Sequence, residues 1–152
     1  MSAEPVRLLT FDYGLKRTGL AAGQTLTGTA SPLPPLVMNN GHPDWDEISA
    51  LLARWKPDGL LVGLPLNMDG TASDMTRRAE KFRKRLHGRF GLPALGWDER
   101  LTSHEVKRTA RESGITDFGA HSVDSDAAVL IFQSWYEALP PDTPWQSHSL
   151  VW

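Results

Sequence analysis

The run Gly59-Leu60-Leu61-Val62-Gly63 carries no polar side chain at either parity, so as a strand it offers apolar surface to both faces of a sheet. A strand of that kind belongs at the centre of a sheet covered on both sides, which is the arrangement of α/β folds. The flanking patterns agree with it. Residues 6–11 are a strand candidate, and the pattern resumes at 18–23 and near 26–37, with Gly14, Gly23 and Gly28 at the turns. Short links between three strands predict an antiparallel meander. Pro32, Pro34 and Pro35 put the end of the third strand at an edge or in a loop, because proline donates nothing to a ladder. Asp44 can cap a helix in which Ile48, Leu51, Leu52 and Trp55 recur at helical spacing before Lys56-Pro57 stops it.

After the apolar run, 64–73 reads as loop. A long helix follows, with Met75, Ala79, Phe82, Leu86 and Phe90 as its apolar stripe. Residues 92–97 read as a strand. Thr102 to Glu105 has capping-box spacing for a helix reaching about Ser113, and a last helix is expected from about Ser122 to Ala138. The expectation is one α/β domain over residues 1–139, a mixed sheet of five strands with helices on its faces, followed by a Pro-broken, mobile tail over 140–152. Ligands of such sheets sit at the carboxyl ends of the strands.

Composition narrows the function classes. With no cysteine among 152 residues, disulfide frameworks and thiolate metal sites are excluded, and any metal must be held by oxygen or imidazole. No run approaches the length of a membrane span and no leader pattern opens the chain, so a cytoplasmic protein is expected. The net charge of −2 argues against coating nucleic acid by bulk electrostatics. Yet residues 77–89 hold seven of the sixteen Lys and Arg against one acid, Glu80. Such a basic helix is more often a solvated face than a nucleic-acid contact. The histidines show no metal-ligand spacing, so His87, His104 and His121 read as surface or packing residues. Trp45, Trp55, Trp97 and Trp135 read as core.

The acids are more informative. In LLTFDYGLKRTGLA, residues 8–21, Asp12 ends an apolar strand, and Asp98-Glu99 ends a later one. The two sites share a sheet edge if those strands run parallel. On the last helix Asp124 shares a face with Ala128, Ile131 and Trp135, whereas Asp126 shares one with Leu130, Gln133 and Glu137, so Asp124 is the better candidate to converge on Asp12 and Glu99. Three carboxylates brought together call for a hard divalent cation, Mg²⁺ or Mn²⁺, and such ions cleave phosphodiesters. Lys16 and Arg17 could neutralise a nucleic-acid backbone beside them. The bland readings stand alongside: an Asx turn at Asp12, pairing of Glu99 with Arg100, a helix-start acid at Asp124, and Asn67 and Asp69 as turn residues before Gly70.

Four blocks, LLTFDYGLKRTGLA, LLVGLPLNMDGT, DERLTSHEV and VDSDAAVLIFQSWYE, in this order and at these separations, resemble the YqgF family, also called RuvX, over about residues 7–137. The resemblance implies a ribonuclease H-like fold and a metal-dependent endonuclease acting in 5′ processing of precursor 16S ribosomal RNA. It implies Asp12, Glu99 and Asp124 as catalytic metal ligands, with Lys16, Arg17, Asn67 and Arg100 toward nucleic acid. Two departures stand out. The stretch before Asp124 is GAHSVD, without the lysine common in the family, and Asp126 adds a fourth carboxylate. Alternatives are a Holliday-junction resolvase acting on branched DNA as a homodimer, a non-catalytic nucleic-acid-binding module, and an actin-like phosphate binder, which would need a second domain. A monomer suffices for the first reading.

Overall fold

The computed structural model describes residues 5–99 and 123–149. In chain order the elements are β1 (Arg7–Asp12), β2 (Arg17–Gln24), β3 (Thr29–Val37), α1 (Trp45–Trp55), β4 (Gly59–Leu64), α2 (Asp74–Phe90), β5 (Ala94–Asp98) and α3 (Val123–Ala138), then a single 3₁₀ turn, Trp145–Ser147. The helix expected over 102–113 lies outside the described residues. The strands form one sheet in the order β3-β2-β1-β4-β5. The first three make the antiparallel meander, while β1, β4 and β5 run parallel.

All six residues of β4 are buried, as its unbroken apolar run requires. One face of the sheet, with Leu9, Phe11, Leu60 and Val62, packs on Ile48 of α1 and on Ala79, Phe82 and Leu86 of α2. The other face, with Leu8, Leu61 and Leu95, packs on Ile131, Phe132 and Trp135 of α3. Because successive strand residues alternate, β1 sends Leu9, Phe11 and Tyr13 toward α1 and α2, and Leu8, Thr10 and Asp12 toward α3.

The helix ends follow from the sequence. Asp44 accepts from the Asp46 N–H and caps α1, which ends at a left-handed Lys56 before Pro57. Ser73 and Thr76 form a reciprocal capping box for α2, and Gly91 closes it in the left-handed region that glycine adopts readily.

Residues 140–149, in the Pro-broken segment that follows α3, touch the rest of the molecule at several points. The Trp135 indole donates to His148 O (2.7 Å), and Ser149 Oγ accepts from Gly96 N (2.9 Å). The Trp145 ring lies so close to Gly59 that a Cβ there would come within 2.6 Å of it. The prolines break helix and strand, but the aromatic groups between them still find apolar surface.

Candidate active site

The parallel course of β1, β4 and β5 brings Asp12 and Glu99 to the same edge of the sheet, where ligands of such sheets bind. Both carboxylates are buried, with 8% and 7% of their surface exposed. Asp12 lies on the α3 face of β1. The residue beside it on β4, one step beyond the Phe11–Val62 pair, is Gly63. A Cβ at Gly63 would lie 2.5 Å from Glu99 Oε2 and 2.5 Å from Cδ1 of Ile131. Glu99 therefore folds back from the end of β5 over β4, into a gap that exists only because residue 63 has no side chain. Its backbone is tied to the same strand, with Glu99 N donating to Leu64 O at 3.3 Å.

The third expected acid, Asp124, belongs to α3. Asp124 is the second residue of that helix, and its side chain lies outside the described residues. The next residue, Ser125, is fully buried. Its hydroxyl accepts from Leu20 N (3.2 Å) and donates to Leu33 O (2.7 Å), so it stands between two strands. The reason lies in β3. The β2–β3 register shifts between Thr18 and Leu20, opposite Pro34 and Pro35, and the serine hydroxyl fills the break in the ladder. Leu20 is next in chain to Gly19, the cross-strand partner of Asp12. The helix start is thereby pinned beside the strand pair that holds Asp12. Asp126 is half-buried, on the more exposed side of α3 with Leu130, Gln133 and Glu137.

Lys16 and Arg17 are exposed in and just after the β1–β2 turn. Asn67 is exposed, but its side chain donates to Thr71 Oγ1 (3.0 Å), and Thr71 in turn donates to Asp69 Oδ1, so the 67–71 turn is held by its own bonds. Arg100 lies outside the described residues. Gly63 and Ser125 are contributors that the sequence patterns did not single out. A glycine inside an apolar strand is a known sign of close approach and could have marked the first. The second has no local signal.

Tyr13, next to Asp12 but on the opposite face, donates to Gly41 O (2.9 Å). Burial pushes its hydroxyl above the usual value, and the guanidinium groups of Arg78 and Arg85 pull the other way.

An all-oxygen donor set of buried carboxylates fits a hard divalent cation, and the missing Cβ of Gly63 is what gives the Glu99 carboxylate its place there. Among the described residues no three His, Asp or Glu side chains form a metal-holding group.

The RuvX family model, described as Holliday junction resolvase, matches residues 6–138. A Marinobacter nauticus protein named "Putative pre-16S rRNA nuclease" is 54% identical over 130 residues, 85% of this chain and 91% of that protein. A Pseudomonas putida protein of the same name is 53% identical over 133 residues, covering 86% and 94%. Among solved structures, Thermus thermophilus RuvC in complex with a Holliday junction substrate aligns with a TM-score of 0.50 at 15% identity, over 90% of this chain and 99% of that one. The yeast mitochondrial Holliday junction resolvase aligns with a TM-score of 0.51 at 14% identity, over 94% and 80%. These likenesses establish the fold.

Proposed function

Because this chain belongs to the RuvX family, we propose that it is a metal-dependent endonuclease that hydrolyses phosphodiester bonds in the 5′ processing of precursor 16S ribosomal RNA, in the cytoplasm. The observation that supports the reading is the pair of buried carboxylates, Asp12 and Glu99, at the same edge of the sheet, with Glu99 reaching back over Gly63 of the strand between them. Carboxylate oxygens at one sheet edge are the donor type that a hard divalent cation takes. Asp12, Glu99 and Asp124 are assigned as the ligands of Mg²⁺ or Mn²⁺. When bound, the metal lowers the pKa of the attacking water and stabilises the departing oxygen.

The chain's own residues set the geometry. Asp12 is fixed by the β1–β2 pairing, Glu99 by its backbone bond to Leu64, and Asp124 by the anchored start of α3. Lys16, Arg17, Asn67 and Arg100 are assigned to the substrate's phosphates and flanking nucleotides. One copy of the chain is enough to cut one strand.

Cleavage of branched DNA is the second reading, favoured by the description of the family model. It needs two copies about a two-fold axis. The test is a side-by-side digestion, in Mn²⁺, of a precursor 16S 5′ leader and a four-way DNA junction by wild type and Asp12→Asn. The leader should be cut by wild type, with at least a 10³-fold loss in the variant, a magnitude on the order of that lost with a key catalytic group. Cleavage of the junction alone would move the assignment to resolvase, and equal cutting by Asp12→Asn would remove Asp12 from the site.

A further inference from the structure

The basic helix α2 is not evenly cationic. Arg83 is withdrawn from solvent: its guanidinium pairs with the buried Glu80 and donates to Ala94 O, tying α2 to β5. Arg89 lies over the Trp45 ring, 4.2 Å from its centroid. Arg78, Lys81 and Arg85 are exposed and stand three and four residues apart on one side of the helix. There they form one wall of a groove of about 340 Å³, whose floor includes Tyr13 and Phe82 and whose opposite rim is the 40–43 turn with His42.

That rim is rigid. Asn39 and His42 exchange backbone bonds of 2.8 and 3.0 Å, Gly41 N donates to Leu15 O, and Gly41 O accepts from Tyr13. Asp74 is the one acid in the lining, and it is paired with Arg78. Tyr13 follows Asp12 directly, so the groove lies at the same sheet edge as the carboxylates but on the other face of the sheet, and Lys16 and Arg17, a few residues on, are exposed.

We propose that this groove is a second nucleic-acid site, one that holds the phosphodiester backbone of the single strand as it leaves the carboxylate centre. From Arg78 to Arg85 the helix advances about 10 Å, long enough to face more than one phosphate of a strand lying along it. The net charge of −2 means attraction to a polyanion must be local, and this wall supplies it. The identity of the polymer rests on the nuclease reading; the cationic groove itself does not.

The test compares two double substitutions that remove equal charge from exposed positions of α2. Lys81→Gln/Arg85→Gln strips the groove, and Arg77→Gln/Lys84→Gln strips the neighbouring surface. Binding of a labelled single-stranded RNA is titrated with salt in an Asp12→Asn background, so that the strand stays intact. The groove variant should weaken binding about tenfold near 0.1 M salt and flatten the log–log salt slope by about 1.4, the value for two lost phosphate contacts to a single strand. The control pair should change affinity less than twofold. Equal effects from both pairs, or none from the groove pair, overturn the proposal. Thermal midpoints within a few degrees of wild type confirm that all the variants are folded. If wild type cuts RNA but the groove variant binds normally, the groove fails and the nuclease stands. If wild type cuts nothing while the groove effect holds, the nuclease reading fails and the groove stands.

Discussion

At the scale of single residues, the smallest side chain at the site has the largest consequence. Gly63 sits where β4 passes between Asp12 and Glu99, and its missing Cβ is the space that the Glu99 carboxylate occupies. Gly63→Ala would press on Glu99 Oε2 and on Ile131 together. Displacing a catalytic group by about 1 Å costs on the order of 10²-fold in rate. The expected result is a loss of that size in cleavage, with stability lowered by about 1–3 kcal/mol for overpacking. Cleavage assays paired with urea unfolding would check both, and full activity in this variant would show that Glu99 is not used from its observed position. Not every cation near the site is equivalent, either. Arg83 is a structural tie between α2 and β5 and Arg78 is paired with Asp74, whereas Lys81 and Arg85 are exposed along the groove.

At the scale of elements, the start of α3 is held by a bond pattern that belongs to neither helix nor sheet. Prolines 34 and 35 disturb the β2–β3 ladder, and the Ser125 hydroxyl restores it by accepting from Leu20 and donating to Leu33. Ser125→Ala would leave a buried N–H and a buried C=O without that partner, costing about 2 kcal/mol. Because Asp124 is the preceding residue, the same change should lower kcat with KM nearly unchanged, and weaken Mn²⁺ activation. A shift in the unfolding midpoint with unaltered kcat would show that Ser125 serves the fold alone. The strands and the other two helices are simpler, since their ends carry local instructions: Asp44 and Ser73 as caps, Lys56 before Pro57, and Gly91.

At the scale of the whole molecule, the sheet separates two tasks. Its carboxyl edge gathers the acids, the β1–β2 turn and the basic groove. At its opposite end Trp145 covers Gly59, and from there the last described residues run along β5, where the His148 ring lies tilted between Trp97 and Trp135 at 4.6 and 5.4 Å. Trp145→Ala should therefore destabilise the protein by about 2 kcal/mol, below the range for a fully buried Trp because this ring is half-exposed. Cleavage per folded molecule should be unchanged. A urea titration and an activity assay normalised to folded protein would separate the two effects. Lost activity at full folding would mean that the closed end communicates with the acidic edge.

The sequence by itself determined the kinds of element, most of their bounds and the fold class, because hydrophobic period, caps, prolines and glycines act over a few residues. The apolar run at 59–63 required a central strand, and that strand required helices on both faces. It also put Asp12 and Glu99 at strand ends, and the ordered blocks pointed to the family. Only the tertiary structure decided that Glu99 reaches back over Gly63, that Ser125 mends a ladder 105 residues away from its partner Leu20 in the chain, that Arg83 is taken out of the basic face, and that Trp145 lies against Gly59. Each of these depends on contacts between residues far apart in sequence. A local pattern carries no record of which distant surface a side chain will meet, so these features became visible only once the sheet had brought the segments together.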